Sequence, residues 1–386
     1  MVRILKIVSI NFIILYFFLY LIEIGINYNK DKLFQKTRLY YLNKDSRSNN
    51  DEKIYLNFGS YKLLGDDLKI LPLSGYENSK TLLCLNENNQ PIYYLSDDIG
   101  FNNQKKALNN NLLLIGDSYV QGMCLDNKYN LNSQFKKFDL NSTSLGIGGN
   151  GPLIEFATFK EYETFYEYQA LILFITPDND FYDLSNEVNN KILMKYLNDK
   201  NFKQNLTSDK NKKEKKNIID LYFGNKTDRF YNDILSVYHF NLKEVGNVIE
   251  SLFKKDRLIT NDYKKLKNKD VDEIFLKIIN EFKISSFNKN INFYVVFNSL
   301  YPNMIYPNSL EEQKLSELLL HKITYLKNYL DNNGIKYFDF SEFITKNYNE
   351  NNINDLFNKI NNQWNHYSRN GNYIFTKQIV ENLLIN

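Results

Sequence analysis

Residues Ile7 to Ile26 form an almost unbroken apolar stretch, interrupted by Ser9, Asn11 and Glu23 and preceded by Arg3 and Lys6. About twenty residues rising about 1.5 Å each match a hydrocarbon core of about 30 Å, so residues 1–28 are expected to form a transmembrane anchor. Gly25 is the nearest small residue to a plausible cleavage point, but Glu23 stands two positions before it, which favours an uncleaved anchor. Residues 29–109 are mixed in character, with short β-like pieces at Leu82–Cys84 and Pro91–Leu95, and read as an N-terminal extension packing on the domain that begins at residue 110.

From residue 110 the pattern becomes regular. Apolar runs at Leu112–Ile115, Ser142–Leu145, Ala170–Ile175, Ile291–Phe297 and Ile335–Phe340 predict five strands. Leu153–Tyr168, opened by Pro152, and Leu310–Asn332, closed by Gly334, predict helices between them, and Tyr373–Leu384 a last helix. More than a hundred residues separate the third and fourth strands. They read as an insertion or cap over about 184–288, with helical stretches at Tyr231–Phe253 and Val271–Phe282. Alternating strands and helices imply an α/β fold whose parallel sheet is covered on both faces.

In such a sheet ligands sit beyond the carboxyl ends of the strands. The first three strands end in Gly116-Asp117-Ser118, in Gly146-Ile147-Gly148-Gly149-Asn150-Gly151 and in Thr176-Pro177-Asp178-Asn179-Asp180, so three polar features converge on one edge. The composition sharpens this. Only 15 Gly and 3 His occur, yet Gly116, Gly122, Gly146, Gly148, Gly149 and Gly151 fall together, a local demand for backbone freedom. A Ser opening a helix after a strand is held at the sheet edge, and needs a base for its proton and donors for an oxyanion to act on an acyl carbon. His239 and His321 lie in helical stretches. His366, in a turn-rich segment before the last helix, is the histidine that can return to the edge of Ser118.

Charge adds little. The net charge is +3, and nine Lys between Lys191 and Lys216, against Asp199, Asp209 and Glu214, supply +6, leaving about −3 elsewhere. No basic nucleic-acid surface is indicated, and the Lys run reads as a solvated loop. The basic residues after the anchor, Lys30, Lys32, Lys36, Arg38 and Lys44, argue for a cytoplasmic domain, whereas a short tail before a long domain resembles a signal anchor. The domain is expected outside the cytoplasm. Cys84 and Cys124, the only cysteines, would form a disulfide there, or else remain two buried thiols. No metal motif or phosphate loop is visible, so no cofactor is expected.

Four blocks in order now resemble the SGNH, or GDSL-type, hydrolase family. Gly116-Asp117-Ser118 with Gly122 is similar to its first block, the Gly146–Pro152 segment to its second, Asn179-Asp180 to its third, and His366 with Gly371 to its fifth. The resemblance covers about residues 110–386, less the insertion. It implies a flavodoxin-like three-layer α/β/α sandwich in a membrane-anchored bacterial protein. It also implies Ser118 as nucleophile, His366 as general base, and an oxyanion hole from the Ser118 and Gly149 amides and the Asn179 side chain. Two positions depart from the family pattern. Pro177 replaces a Gly, and Gln363 stands where the family carries the Asp that orients the imidazole. A neutral side-chain oxygen can accept from the ring N–H but supplies no charge. A Ser–His dyad, or a substitute acid such as Asp355, would then have to serve.

The resemblance and the anchor together imply an esterase or O-acyltransferase acting on acyl, chiefly acetyl, esters of a cell-envelope glycan, with its single-pass domain on the periplasmic or extracellular side. Two alternatives stand beside it: a weak or inactive polysaccharide-binding or assembly module, motivated by Gln363, and a lipid-directed esterase, motivated by the anchor and the aromatic-rich insertion.

Overall fold

The computed structural model describes residues 11–25, 54–85, 90–103, 112–236, 245, 269–360 and 363–385. The chain divides into two units, Met1–Asp51 with Asn217–Tyr263, and Glu52–Lys216 with Lys264–Asn386.

The larger unit opens with three short strands, β1 (Tyr55–Leu56), β2 (Lys80–Leu85) and β3 (Pro91–Leu95), in a small sheet of order β1-β2-β3. The main sheet comes next: β4 (Leu112–Ile115), β5 (Ser142–Ser144), β6 (Ala170–Ile175), β7 (Asn292–Phe297) and β8 (Lys336–Asp339). All its pairs are parallel and its order is β5-β4-β6-β7-β8. Numbered within the sheet this is 2-1-3-4-5, the flavodoxin-like order, whose direction of winding reverses at β4. Every residue of β4 and of β6 is buried, as expected of strands with helices on both faces.

The two faces follow the strand alternation. Leu112, Leu114, Ile172 and Phe174 enter one core with Phe135, Phe340 and Phe375, carried by the helices Leu131–Lys136, Phe340–Asn347 and Arg369–Ile379, and with Tyr367. On the other face Phe282 of the helix Lys269–Asn288 packs on Phe293 of β7, with ring centroids 6.1 Å apart, and on Phe156 of the helix Pro152–Tyr162 at 5.3 Å. The helix Lys269–Asn288 is therefore a layer of the sandwich, although it lies within the stretch expected as an insertion.

The Lys191–Lys216 run differs from the solvated loop expected of it. Lys191–Asn198 is a helix, and a second helix, Asp209–Ser236, begins inside the run. The Asn190 side chain caps the first by accepting from the Ile192 and Leu193 amides, and Leu193, Tyr196 and Leu197, spaced three and four apart, are buried along one face. Lys215 is buried too, its Nζ 3.0 Å from both Ser74 Oγ and Glu77 Oε1. Counting charge hid the helical spacing of the apolar residues between the lysines.

The smaller unit contains a helix over residues 11–25, with Phe12, Ile13, Phe17 and Phe18 exposed and Glu23 buried, its Oε2 accepting from the Val245 amide at 2.7 Å. Among the described residues no helix is long and apolar enough to cross a membrane. Ile7–Ile10 and Ile26, which complete the expected span, lie outside the described residues, as does His239.

Candidate active site

The buried run of β4 ends at Gly116, where a β-carbon would lie 2.5 Å from Val120 Cγ2 and 3.1 Å from Phe174 Cβ. Only glycine lets the chain turn so closely onto the next helix. Asp117 caps that helix, Ser118–Gln121, by accepting from the Tyr119 amide at 3.0 Å. Ser118 is the first helical residue, and its side chain is held at the carboxyl edge of the sheet.

His366 arrives from far along the chain. His366 was expected in a turn-rich loop, but it sits on a strand. Gln363–Tyr367 is β10, antiparallel to β9 (Phe357–Ile360). The cause is Tyr367, which is 1% exposed, lies among Tyr119, Phe340, Phe357 and Phe375, and accepts from the Ser299 amide at 2.8 Å through its hydroxyl. That anchorage brings His366 Nε2 to 2.7 Å from Ser118 Oγ, with the Tyr119 ring centroid 4.8 Å from the imidazole. Burial pushes the His366 pKa down to about 4, so the ring is neutral near pH 7 and can accept a proton.

The glycine-bearing turn after β5 supplies a second polar feature. Gly149 has φ +80°, a left-handed conformation that side chains rarely adopt. The Gly148 amide donates to Gln121 Oε1 at 2.8 Å, and Gln121 Nε2 donates to Asn57 Oδ1 at 2.8 Å, tying the turn to the nucleophile helix and to the N-terminal extension. Among the described hydrogen bonds the Gly149 and Ser118 amides donate to no acceptor. Asn179, after β6, donates from Nδ2 to Asp117 Oδ2 at 3.1 Å, which sets its amide beside the nucleophile turn. The structure thus gathers Ser118, His366, Gly149 and Asn179 at one edge.

Other expected residues fall elsewhere or differ. Gln363 lies on β10, and its side chain is outside the described residues. Asp355 is exposed in a 3-10 turn, where its main-chain carbonyl accepts from Ser368 Oγ at 2.6 Å. His321 is exposed on the helix Leu310–Asn332. Cys84 and Cys124 do meet, but the expected disulfide is absent and both are free cysteines. Their thiols share a hydrogen bond, which raises the pKa of Cys84 and lowers that of Cys124.

Buried carboxyls gather near this edge, and sequence reasoning passed over two of them, Glu155 and Glu187. Asp117, Glu155, Asp180 and Glu187 are all buried. Burial raises each pKa first, and neighbouring carboxylates raise those of Glu155, Asp180 and Glu187 further, with Glu187 reaching about 8. Both Glu155 oxygens lack a hydrogen-bond partner. Asp178, next to Asn179, is pushed up to about 7 by burial. Among the described residues no group of three or more His, Cys, Asp or Glu could hold a metal ion.

No family model and no curated protein matches the chain. Among solved structures, one that is similar is a protein assigned to the lipolytic G-D-S-L family from Desulfitobacterium hafniense DCB-2. Its TM-score is 0.38 at 9% identity, covering 72% of this chain and 100% of that one. A member of the same family from Veillonella parvula DSM 2008 gives a TM-score of 0.35 at 9% identity, with 72% and 100% covered.

Proposed function

We propose that this chain is a serine esterase or O-acyltransferase acting on acyl esters of a cell-envelope glycan. The observation that carries this reading is the 2.7 Å approach of His366 Nε2 to Ser118 Oγ. His366 would take the hydroxyl proton as Ser118 Oγ attacks the ester carbonyl, forming a tetrahedral oxyanion. The Ser118 and Gly149 amides and the Asn179 side-chain amide would donate to that oxyanion. The imidazolium then gives its proton to the leaving oxygen as the C–O bond breaks, which leaves an acyl-serine. Water or a sugar hydroxyl, deprotonated by the same ring, releases the acyl group and restores Ser118. The N-terminal apolar segment would anchor the protein, with the acyl chemistry on the periplasmic or extracellular side.

The test uses the full chain in detergent with p-nitrophenyl acetate. Ser118→Ala should lower turnover by at least about 10³-fold. Equal turnover by both proteins would overturn the assignment. A second reading, a weak or inactive polysaccharide-binding module, is favoured by Gln363 at the position of an orienting acid. Polysaccharide binding without ester turnover by the unmodified chain would select it.

A further inference from the structure

Two of the donors proposed for the oxyanion sit on separate loops, Gly149 in the turn after β5 and Asn179 in the turn after β6. An oxyanion hole works only if its donors converge on one oxygen, so the two loops must be held in register with each other. Asn179 immediately precedes the helix Asp180–Glu187, and Glu187 ends it. The Glu187 side chain is fully buried and reaches across to the other loop. Its Oε1 accepts from the Gly151 amide at 2.7 Å, and its Oε2 accepts from the Leu153 amide at 2.9 Å and the Ile154 amide at 3.4 Å.

The local sequence creates the need for that reach. The helix Pro152–Tyr162 opens on Gly151, which has no side chain to cap it, and on Pro152, which has no N–H. The first amides of the helix must then find an acceptor elsewhere, and a carboxyl suits the positive end of a helix. The approach is close. A β-carbon on Gly151 would lie 2.6 Å from Asp183 Cβ and 2.9 Å from Glu187 Oε1, so only glycine lets the helix Asp180–Glu187 lie against the turn. The turn itself is closed, the Asn150 amide donating to the Ile147 carbonyl at 3.2 Å. Fixing Gly151 therefore also fixes Gly149, two residues before it.

We propose that Glu187 is a positioning residue for the oxyanion hole: by bonding the exit of the Gly149 turn from the end of the helix that Asn179 precedes, it holds the two donors in register. This rests on the ester reading above and deepens it by naming a group that acts through the donors without touching substrate.

The experiment compares the full chain in detergent with Glu187→Gln on p-nitrophenyl acetate, with kcat expressed per Ser118 labelled at end point by a fluorophosphonate. A glutamine side chain has one acceptor oxygen and turns an N–H toward the other amides, so one limb of the bridge is lost. Glu187→Gln should lower kcat per labelled site about 10–100-fold and leave KM within about twofold. In an Asn179→Ala background the same substitution should cost at most about threefold more, because one of the donors it aligns is already gone. Unchanged kcat per labelled site with a lower Tm would make Glu187 a helix cap alone and overturn the proposal, as would an equal loss in both backgrounds. Glu187→Asp keeps two acceptor oxygens on a stem one methylene shorter, and it carries the same readout where the glutamine variant does not fold. There kcat per labelled site should fall about tenfold, and a value equal to that of the unmodified chain would overturn the proposal. Failure of the ester reading shows separately, as turnover of p-nitrophenyl acetate that survives Ser118→Ala.

Discussion

The two halves of the candidate site are held by opposite kinds of matter. The nucleophile edge is set by hydrogen bonds and buried carboxyls: Asp117 on the Tyr119 amide, Asn179 on Asp117, Gln121 on Gly148, Glu187 on the Gly151 and Leu153 amides. His366 is set by aromatic packing, with Tyr367 wedged among four rings and the imidazole against Tyr119. Donors aimed at a developing charge need directional bonds, whereas a base whose burial keeps it neutral can be placed by shape alone. Each half should therefore fail in its own way.

The largest effect is expected from breaking the aromatic half. Tyr367→Ala removes a ring that is 1% exposed and leaves the Ser299 amide without its acceptor. The cavity should cost about 3–5 kcal/mol. Denaturant unfolding measures it, together with ester turnover, which should fall as the hairpin loses its anchor. A loss below about 1 kcal/mol would mean that the hairpin is held elsewhere.

An intermediate effect should come from lending the aromatic half some charge. In Gln363→Asp a carboxylate three residues before His366 would favour the imidazolium. The His366 pKa should then rise from about 4 toward its ordinary value near 6.5. The acidic limb of the rate profile should move upward with it, and kcat should gain about 10–100-fold if the imidazolium is what limits the chemistry. A fall in kcat would instead identify a dyad adapted to a neutral partner.

The smallest effect concerns the polar half. Its carboxyls have raised pKa values, so the fold binds their protons more tightly than the unfolded chain does. Their contribution to stability is complete below the ordinary carboxylate range and is lost as pH rises through about 7 for Asp178 and about 8 for Glu187. His366 acts in the opposite sense, but its contribution is complete above about 6.5. Between pH 6.5 and 8.5 these carboxyls lose their protons while His366 no longer contributes a change, and Tm should fall across that window. Glu155→Gln, which replaces an unpartnered buried acid by a neutral isostere, should raise Tm at pH 8.5 by about 2 °C and change it little at pH 5.5. A uniform shift at both pH values would remove charge burial as the cause.

Legibility in the sequence divides along the same line. Leu112–Ile115 and Ala170–Ile175 were legible because a strand buried on both faces is an apolar run with a polar stop, and that stop placed Ser118 and Asn179 at the edge. Leu310–Asn332 carried its own end signal in Gly334, which has φ +63°, whereas the cap Ser309 shows only in the structure. The β9–β10 hairpin was hidden, because its polar residues read as loop and only the burial of Tyr367 makes it a strand. The thiol pair was half legible, since the residues meet but without a covalent bond.

Ser118 and His366 lie 248 positions apart along the chain. A ribosome finishes the Ser118 turn long before it reaches His366, so the sheet edge must wait for the hairpin that carries His366 to close on it. Under the proposed function, ester turnover would report that β10 has found its seat, which would make it a stricter gauge of complete folding than helix content or compactness.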